Sequence, residues 1–318
     1  MDSSTFDFID GINVTLNAGG MNTINIVLAF VMFGVALGIK PRMFVEVFRK
    51  PKSVILGMCS QLILLPLLTF LLVLLLNDRI NWSMALGMIL VASCPGGNIS
   101  NFMSSLSKAN VELSVSLTAI STALCIFMTP FNFWLYGNLY LDFASVSADV
   151  PQLVIPLWDV FKTIVVLLGI PLALGILTST YLPKVADKLK KPMQWLSIVF
   201  FVAMVVLSFW SNRQAFLQCI GYIFFIVLIH NLLALLTGFS VGTAFRVPKA
   251  DRRTLTIETG IQNSGLGLAL LLGTSIFAGL PPHGGMLVIT AWWGVWHIVS
   301  GLTVSSLFLL SDKKSKKV

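Results

Sequence analysis

Polar punctuation divides the chain into nine long apolar runs, near residues 22–39, 53–76, 82–107, 111–136, 153–181, 193–211, 216–245, 253–278 and 285–310. A hydrocarbon core about 30 Å thick takes roughly 20 helical residues rising about 1.5 Å each, and the runs are that long or nearly so. Backbone groups in lipid must be satisfied internally, so continuous apolar runs without dyad alternation predict helices rather than a closed barrel. The expected fold class is all-α, a polytopic membrane protein with nine transmembrane helices.

Two runs are not plain hydrophobic helices. The third passes from Met84 to Ala92 and then meets Cys94-Pro95-Gly96-Gly97-Asn98-Ile99-Ser100-Asn101, where a proline and two glycines predict an interruption. The eighth carries Glu258-Thr259-Gly260-Ile261-Gln262-Asn263-Ser264-Gly265 in the same relative place. Matching broken helices in two oppositely directed halves predict inverted repeats with two crossing discontinuous helices. The expected division is an exposed outer tail at 1–20, a first repeat of four helices lacking its own first helix at 21–136, and an outer loop at 137–152. A second repeat of five helices at 153–310 and a basic cytoplasmic tail at 311–318 follow. Gln61 in the second run and His230-Asn231 in the seventh give the halves a matching polar pair.

Composition agrees with a lipid solvent, since 56% of the 318 residues are hydrophobic and 11% charged. A formal net charge of +8 would suit nucleic acid if it formed a stripe between aromatic residues, but it does not. Basic residues gather in short loops instead: Lys40, Arg42, Arg49, Lys50 and Lys52; Lys184, Lys188, Lys190 and Lys191; Arg246, Lys249, Arg252 and Arg253; and the tail from Lys313 to Lys317. The positive-inside rule puts all four clusters in the cytoplasm only if the N-terminus is outside and the C-terminus inside, in a plasma or inner membrane. The lipid bilayer is thus an expected partner and nucleic acid is not. Asp2, Asp7 and Asp10 make the start unlike a signal peptide. The four cysteines lie in apolar segments without CxxC spacing and read as buried bystanders. Tryptophans read as interface or packing residues. The sequon at Asn13 carries little weight, because Asn98-Ile99-Ser100 matches the same pattern inside a membrane run.

Glu258 is the most informative residue. A carboxylate at the centre of a membrane helix costs about 2.5 to 3.5 kcal/mol on insertion scales, so it calls for a cation or a proton. The competing reading is an interfacial charge beside Arg252 and Arg253. Glu258 and Gln262 are four apart and share a face, as do Ser114 and Thr118. With Ser100 and Asn101 they offer the carboxylate, amide and hydroxyl oxygens that a small hard cation takes at a discontinuous helix. Hydroxyls at Ser114 and Thr118 also serve by bonding back to their own helix. His230 and His297 read either as packed histidines or as a proton relay or substrate contact.

Cys94 through Asn101, Leu113 through Thr118 and Thr256 through Gly265 closely resemble the signature regions of the bile acid:sodium symporter family. Phe33 through Pro41 and Trp296-His297 also look like family positions, so the resemblance spans essentially all the membrane part. The animal members with nine helices are the nearer pattern. Where some bacterial relatives carry His-Asn, this chain has His297-Ile298. The resemblance implies two sodium sites: one of Ser100, Asn101, Ser114, Thr118 and Glu258, the other of Gln61, Glu258, Gln262 and the backbone carbonyls of Thr259 and Ile261. It also implies a core domain of runs two to four and seven to nine against a panel of runs one, five and six, with an organic anion in the crevice between them.

The helix restarts at Asn98, Ile99 and Ser100 and at Asn263 and Ser264, together with His297, are the expected anion contacts, because a helix N-terminus offers unpaired N–H groups and positive partial charge. The expected function is sodium-coupled symport of an organic anion by alternating access, with sodium as coupling ion and no cofactor. The substrate class stays open among bile-acid-like anions, steroid sulfates and small carboxylates such as pantoate. Proton coupling through Glu258 is the alternative within transport. An intramembrane enzyme or sensor is the alternative outside it, and no His-Glu-x-x-His, Gly-x-Ser-x-Gly or paired aspartates speak for an enzyme.

Overall fold

The computed structural model describes residues 7–10, 18–40, 51–145, 155, 157–211, 213–273 and 283–315. The sequon at Asn13, the basic residues Arg42, Arg49 and Lys50, most of the stretch between 146 and 156, and Lys316 and Lys317 lie outside them. The helices are α1 (Ala18–Ala36), α2 (Pro51–Leu75), α3 (Trp82–Ser93), α4 (Ile99–Leu106), α5 (Val111–Ser145) and α6 (157–181). They continue with α7 (Pro183–Ser211), α8 (Arg213–Ala244), α9 (Lys249–Gly260), α10 (Ser264–Gly273) and α11 (Gly284–Ser315). The described residues hold no strand and one isolated β-bridge. Four helical stretches among them, Pro51–Leu75, Val111–Ala144, Leu217–Ala244 and Gly284–Lys313, are long and apolar enough to cross a membrane, and Trp82–Ser93 and Val165–Tyr181 are shorter apolar helices. The chain is an all-α polytopic membrane protein.

The prolines within α2 and α6 are absorbed rather than terminal. In α2 a π turn at Ser60–Leu64 precedes Pro66, and in α6 a second one at Val165–Gly169 precedes Pro171. The proline ring clashes with the carbonyl four residues back and has no N–H to offer it, and a widened turn relieves the clash. The carbonyl so released in α2 is that of Leu62, and Asn132 Nδ2 donates to it at 2.8 Å.

Helix α3 is buried from Ser83 to Ser93 and packs between α11, α5 and α2 at the centre of the main apolar core. Helices α1, α6 and α7 pack on one another, with the backbone of α1 at Phe33 and Ala36 pressed onto Gly175. Helices α8 and α9 pack along an extended close contact. A Cβ at Gly238 would lie 2.3 Å from the Leu255 carbonyl oxygen and one at Gly242 would lie 2.8 Å from the Arg252 side chain, so this Gly-x-x-x-Gly face lets two backbones meet.

Several sequence expectations need correction. The fourth run does not end at 136, because α5 continues to Ser145 with Pro130 inside it. Gly137 reads as a loop residue, yet its missing Cβ makes room for Ile155, whose backbone N–H donates to Asn138 Oδ1 at 2.8 Å. The cluster Lys184 to Lys191 is helical rather than a loop, since α7 starts at Pro183. The segment 311–318 is no simple tail: α11 runs to Ser315, and Asp312 receives Arg253 Nη2 at 2.6 Å and Lys249 Nζ at 2.6 Å. Arg253 is buried and also donates to the carbonyls of Ser107 and Phe308, so it joins α9 and α11 to the turn after α4 instead of marking a loop. The N-terminal stretch is not simply exposed either. Ile9 is fully buried, and Asp10 accepts from Ser83 Oγ and from the Gly285 N–H.

The α8–α9 contact yields a paired prediction. Gly238→Ala should destabilise the protein by about 1–3 kcal/mol through overpacking, whereas Gly221→Ala, inside α8 with nothing within 4 Å of its Cβ, should leave the melting temperature equal or slightly raised. Melting curves of the two variants in detergent check it.

Candidate functional site

Helix α3 ends at Ser93 and α9 ends at Gly260, both against extended backbone at Cys94 and Ile261. The two extended segments run antiparallel and pair, with Gly97 N–H donating to Ile261 O and Asn263 N–H to Pro95 O, each at 2.8 Å. The chain then resumes as α4 at Ile99 and α10 at Ser264. Both interruptions thus fall at the predicted residues and meet each other.

The diverted N–H groups leave carbonyls without their helical partners, and side chains replace them. Ser93 O accepts from Thr129 Oγ1 at 2.7 Å, Glu258 O from Gln61 Nε2 at 3.2 Å, Thr259 O from Gln262 Nε2 at 2.8 Å, and Gly260 O from Asn231 Nδ2 at 2.7 Å. Ser60 and Thr259 share a short hydroxyl–hydroxyl contact, and Gly96 N–H donates to Ser121 Oγ at 3.3 Å.

Glu258 sits beside this crossing, 1% exposed, without an ion pair among the described residues. Its Oε1 accepts from Ser100 Oγ at 2.5 Å, from Ser114 Oγ and from Thr118 Oγ1 at 3.2 Å; its Oε2 accepts from Thr118 Oγ1 at 3.0 Å. Ser100 comes from α4, Ser114 and Thr118 from α5, so three helices converge on one carboxylate. Asn101 Oδ1 is 3.5 Å from Thr118 Oγ1, and Ser104 Oγ donates to Ser114 Oγ at 3.1 Å. Burial separates Glu258 from the helix end where Arg252 packs over the Phe239 ring and Arg253 holds Asp312, so the interfacial-charge reading does not fit. The hydroxyls of Ser114 and Thr118 point to the carboxylate, not back to their own helix.

On the other side of Glu258, Gln61 and Gln262 are fully buried, with Gln61 Nε2 3.5 Å from Gln262 Oε1. Gln61 Oε1 is buried without a hydrogen-bond partner. A Cβ at Gly96 would fall 2.8 Å from Glu258 Oε2 and 2.9 Å from Gln61 Nε2, so only glycine lets the crossing backbone pass between them. Carboxylate, amide, hydroxyl and carbonyl oxygens around one buried charge are ligands for a hard cation.

The expected anion contacts are less uniform. Asn98 is exposed and makes no capping bond, Ile99 is half-buried, and Asn263 is half-buried with Oδ1 accepting the Leu266 N–H at 3.1 Å as the cap of α10. Ser264 is buried with its Oγ unpartnered. His297 is buried one turn beyond Trp293 and shares no hydrogen bond with either asparagine; its Nδ1 has no partner. His230 is packed, with Nε2 2.9 Å from Thr69 Oγ1 and its ring 4.6 Å from that of Trp293. Cys94, Cys125 and Cys219 are buried and Cys59 is half-buried, with no disulfide among them. Sequence reasoning missed Ser60 and Ser121, and it took Gly96 only as a helix breaker and not as the residue that passes between Glu258 and Gln61. Ser121 was findable, seven residues beyond Ser114 and so on the same face of α5; Ser60 had no signal beyond its neighbour Gln61.

Residues 25–219 match the Sodium Bile acid symporter family. The chain is 33% identical over 294 residues to the uncharacterized sodium-dependent transporter YocS of Bacillus subtilis (strain 168), a match covering 92% of this chain and 84% of that protein. It is 31% identical over 257 residues to the human sodium/bile acid cotransporter 4, covering 80% of this chain and 57% of the relative, so it spans just over half of that longer protein. A probable chloroplastic sodium/metabolite cotransporter of Arabidopsis thaliana is 30% identical over 269 residues, with 80% and 62% covered. The chain belongs to the sodium bile acid symporter family and is a transporter, not an enzyme.

Proposed function

We propose that the chain carries an organic anion across the membrane together with sodium, by alternating access around the crossing of α3–α4 and α9–α10. The observation that carries this reading is a buried carboxylate, Glu258, with hydroxyl donors from two helices and no basic partner among the described residues. An unneutralised charge at that depth is expensive, and a bound cation supplies what the protein does not.

One ion would lie among Ser100, Asn101, Ser114, Thr118 and Glu258. A hydroxyl has two lone pairs as well as its proton, so each can turn an oxygen to the ion. The second would use Gln61, Glu258, Gln262 and the carbonyls of Thr259 and Ile261. The unpartnered Gln61 Oε1 supports it, and each carbonyl retains a lone pair beyond the bond it already accepts. An ion bound there draws α2, α4, α5 and α9 onto one point. That favours the state in which both helix restarts are held in place, and an anion that prefers this state then binds better with sodium present.

The anion headgroup would meet the amide of Asn98, the Nδ2 of Asn263 and the N-terminal turns of α4 and α10, near Ile99, Ser100 and Ser264, while its bulkier part lies against the panel of α1, α6 and α7. The family resemblance adds His297 to these contacts. Nine membrane crossings in two inverted repeats, with an outer N-terminus and a cytoplasmic C-terminus, complete the reading. The names of the relatives, a bile acid cotransporter and a probable metabolite cotransporter, leave the substrate of this chain open. Proton coupling through Glu258 rests on the same buried carboxylate, and uptake that follows pH while ignoring sodium would favour it.

Three outcomes are expected. Cysteines placed at the exposed positions Lys188 and Lys313 should label from the cytoplasmic side of sealed cells only; labelling of either from outside refutes the topology. Glu258→Gln keeps the shape and removes the charge, so sodium affinity should fall by roughly 2–5 kcal/mol, thirtyfold or more. Ser114→Ala and Gln262→Ala should lose less. Sodium-dependent thermal shifts and uptake measure this, and unchanged sodium affinity in Glu258→Gln would sink the shared-site reading. Finally, Asn98→Leu should weaken anion binding more than sodium binding. Asn263→Asp, which keeps the cap acceptor for Leu266 but loses the amide donor, should do the same with little loss of stability. Separate anion and sodium titrations decide it.

A further inference from the structure

Away from the crossing, a groove of about 480 Å³ opens between the end of α4 and the last turns of α11, lined by Lys108, Ser306, Leu309, Leu310, Asp312 and Lys313. Its floor is mainly apolar side chain and its rim is charged. Asp312, the carboxylate in the lining, is held by Arg253 and Lys249, so its charge is compensated from within the protein. Lys108 and Lys313 are exposed and have no acidic partner among the described residues. Among the described residues, two ammonium groups without an acidic partner therefore line a groove whose one carboxylate is already paired.

Lys108 holds its place in an unusual backbone conformation. Helix α4 closes with Ala109 N–H donating to Ser104 O and Ser107 N–H to Met103 O, and Lys108 takes φ 54°, the left-handed position usually given to glycine or asparagine. A residue with a Cβ adopts it at a cost. The carbonyl end of α4 welcomes a cation, which explains a positive charge there, but not the apolar floor beside it.

Around the groove, α11 presents Leu302, Leu307 and Leu310 outward. The apolar stretch Gly284–Lys313 ends at the level of the two lysines, where a membrane helix leaves the hydrocarbon. A small hydrophilic anion would use the lysines and leave the leucines wet. An amphiphile with a negative head uses both.

We propose that this groove holds one anionic phospholipid of the adjacent leaflet, its phosphate between Lys108 and Lys313 and an acyl chain along Leu309 and Leu310. Basic pockets at the ends of membrane helices bind such headgroups. The occupant would tie the end of α4, which carries Ser100, Asn101 and Ser104, to α11. The inference rests on the chain lying in a bilayer and not on which ion it couples, so it can fail independently of the proposed transport.

Native mass spectrometry of the full chain in detergent, titrated with phosphatidylglycerol or phosphatidylcholine and separately with inorganic phosphate, tests it. Phosphatidylglycerol should be retained roughly tenfold over phosphatidylcholine, and Lys108→Gln with Lys313→Gln should remove that preference. Inorganic phosphate should not displace the lipid. Should the double variant fail to elute as a single species, the single variant Lys313→Gln, at an exposed helix end, should still lower the preference several-fold. Equal retention of the two lipids, a preference unchanged in both variants, or displacement by inorganic phosphate would overturn the proposal, the last by identifying a plain anion site.

Discussion

Inside a bilayer there is no water to take up a backbone group that a helix releases, and this constraint governs the centre of the molecule. When Gly97 and Asn263 send their N–H groups across the crossing, the carbonyls of Ser93 and Thr259, four residues earlier, lose their natural donors. Thr129 and Gln262 replace them, while Gln61 and Asn231 serve the adjoining carbonyls of Glu258 and Gly260. The polar residues of α2, α5 and α8 that face the crossing are thus the condition for having an interruption at all. Much of what looks like a binding site is first a solution to a backbone problem, and the ligand groups are the lone pairs left over.

Glu258 adds an electrostatic constraint to the geometric one. Three hydroxyls stabilise its charge, yet hydroxyl dipoles offset only part of the loss of water. The carboxylate therefore holds α4, α5 and α9 together most firmly when something positive joins them. On the proposed reading, a site incomplete by one charge would link helix position to ion occupancy without any moving lid. The two ends of these helices are fastened separately: Asp10 bonds to the starts of α3 and α11, and the Arg253–Asp312 pair joins α9, α11 and the turn after α4.

The positions of both interruptions were legible because proline, glycine and polar residues clustered at membrane depth are too costly for an unbroken helix and so mark a break. The convergence of Ser100, Ser114 and Thr118 on Glu258 was readable from spacing together with resemblance, and the geometry brings these residues to one carboxylate. Helix ends were harder. Gly137 follows the end of an apolar run in the sequence but sits inside α5, since its small size serves Ile155, and periodicity cannot tell a packing glycine from a breaking one. Arg253 reads as one of a basic cluster because its partner Asp312 lies 59 residues away. The burial of Ile9 is hidden for the same reason. Local patterns report what a residue would do alone, and these depend on a distant partner.

The widened turn in α2 has a consequence of its own. Ser60 and Gln61 lie at its start and face α9, while Thr69, five residues beyond its end, reaches His230 on α8. One additional residue in a helical turn rotates everything after it by about 100° relative to everything before. The two contacts are therefore in phase only because of that residue, and α2 specifies its part of the site by counting as much as by chemistry. Shortening 60–64 by one apolar residue would leave hydropathy and helix content nearly untouched. It would nonetheless force α2 to choose between its register with α9 and its register with α8. Substitution at single positions does not reach such information, because it is stored in the length of the turn.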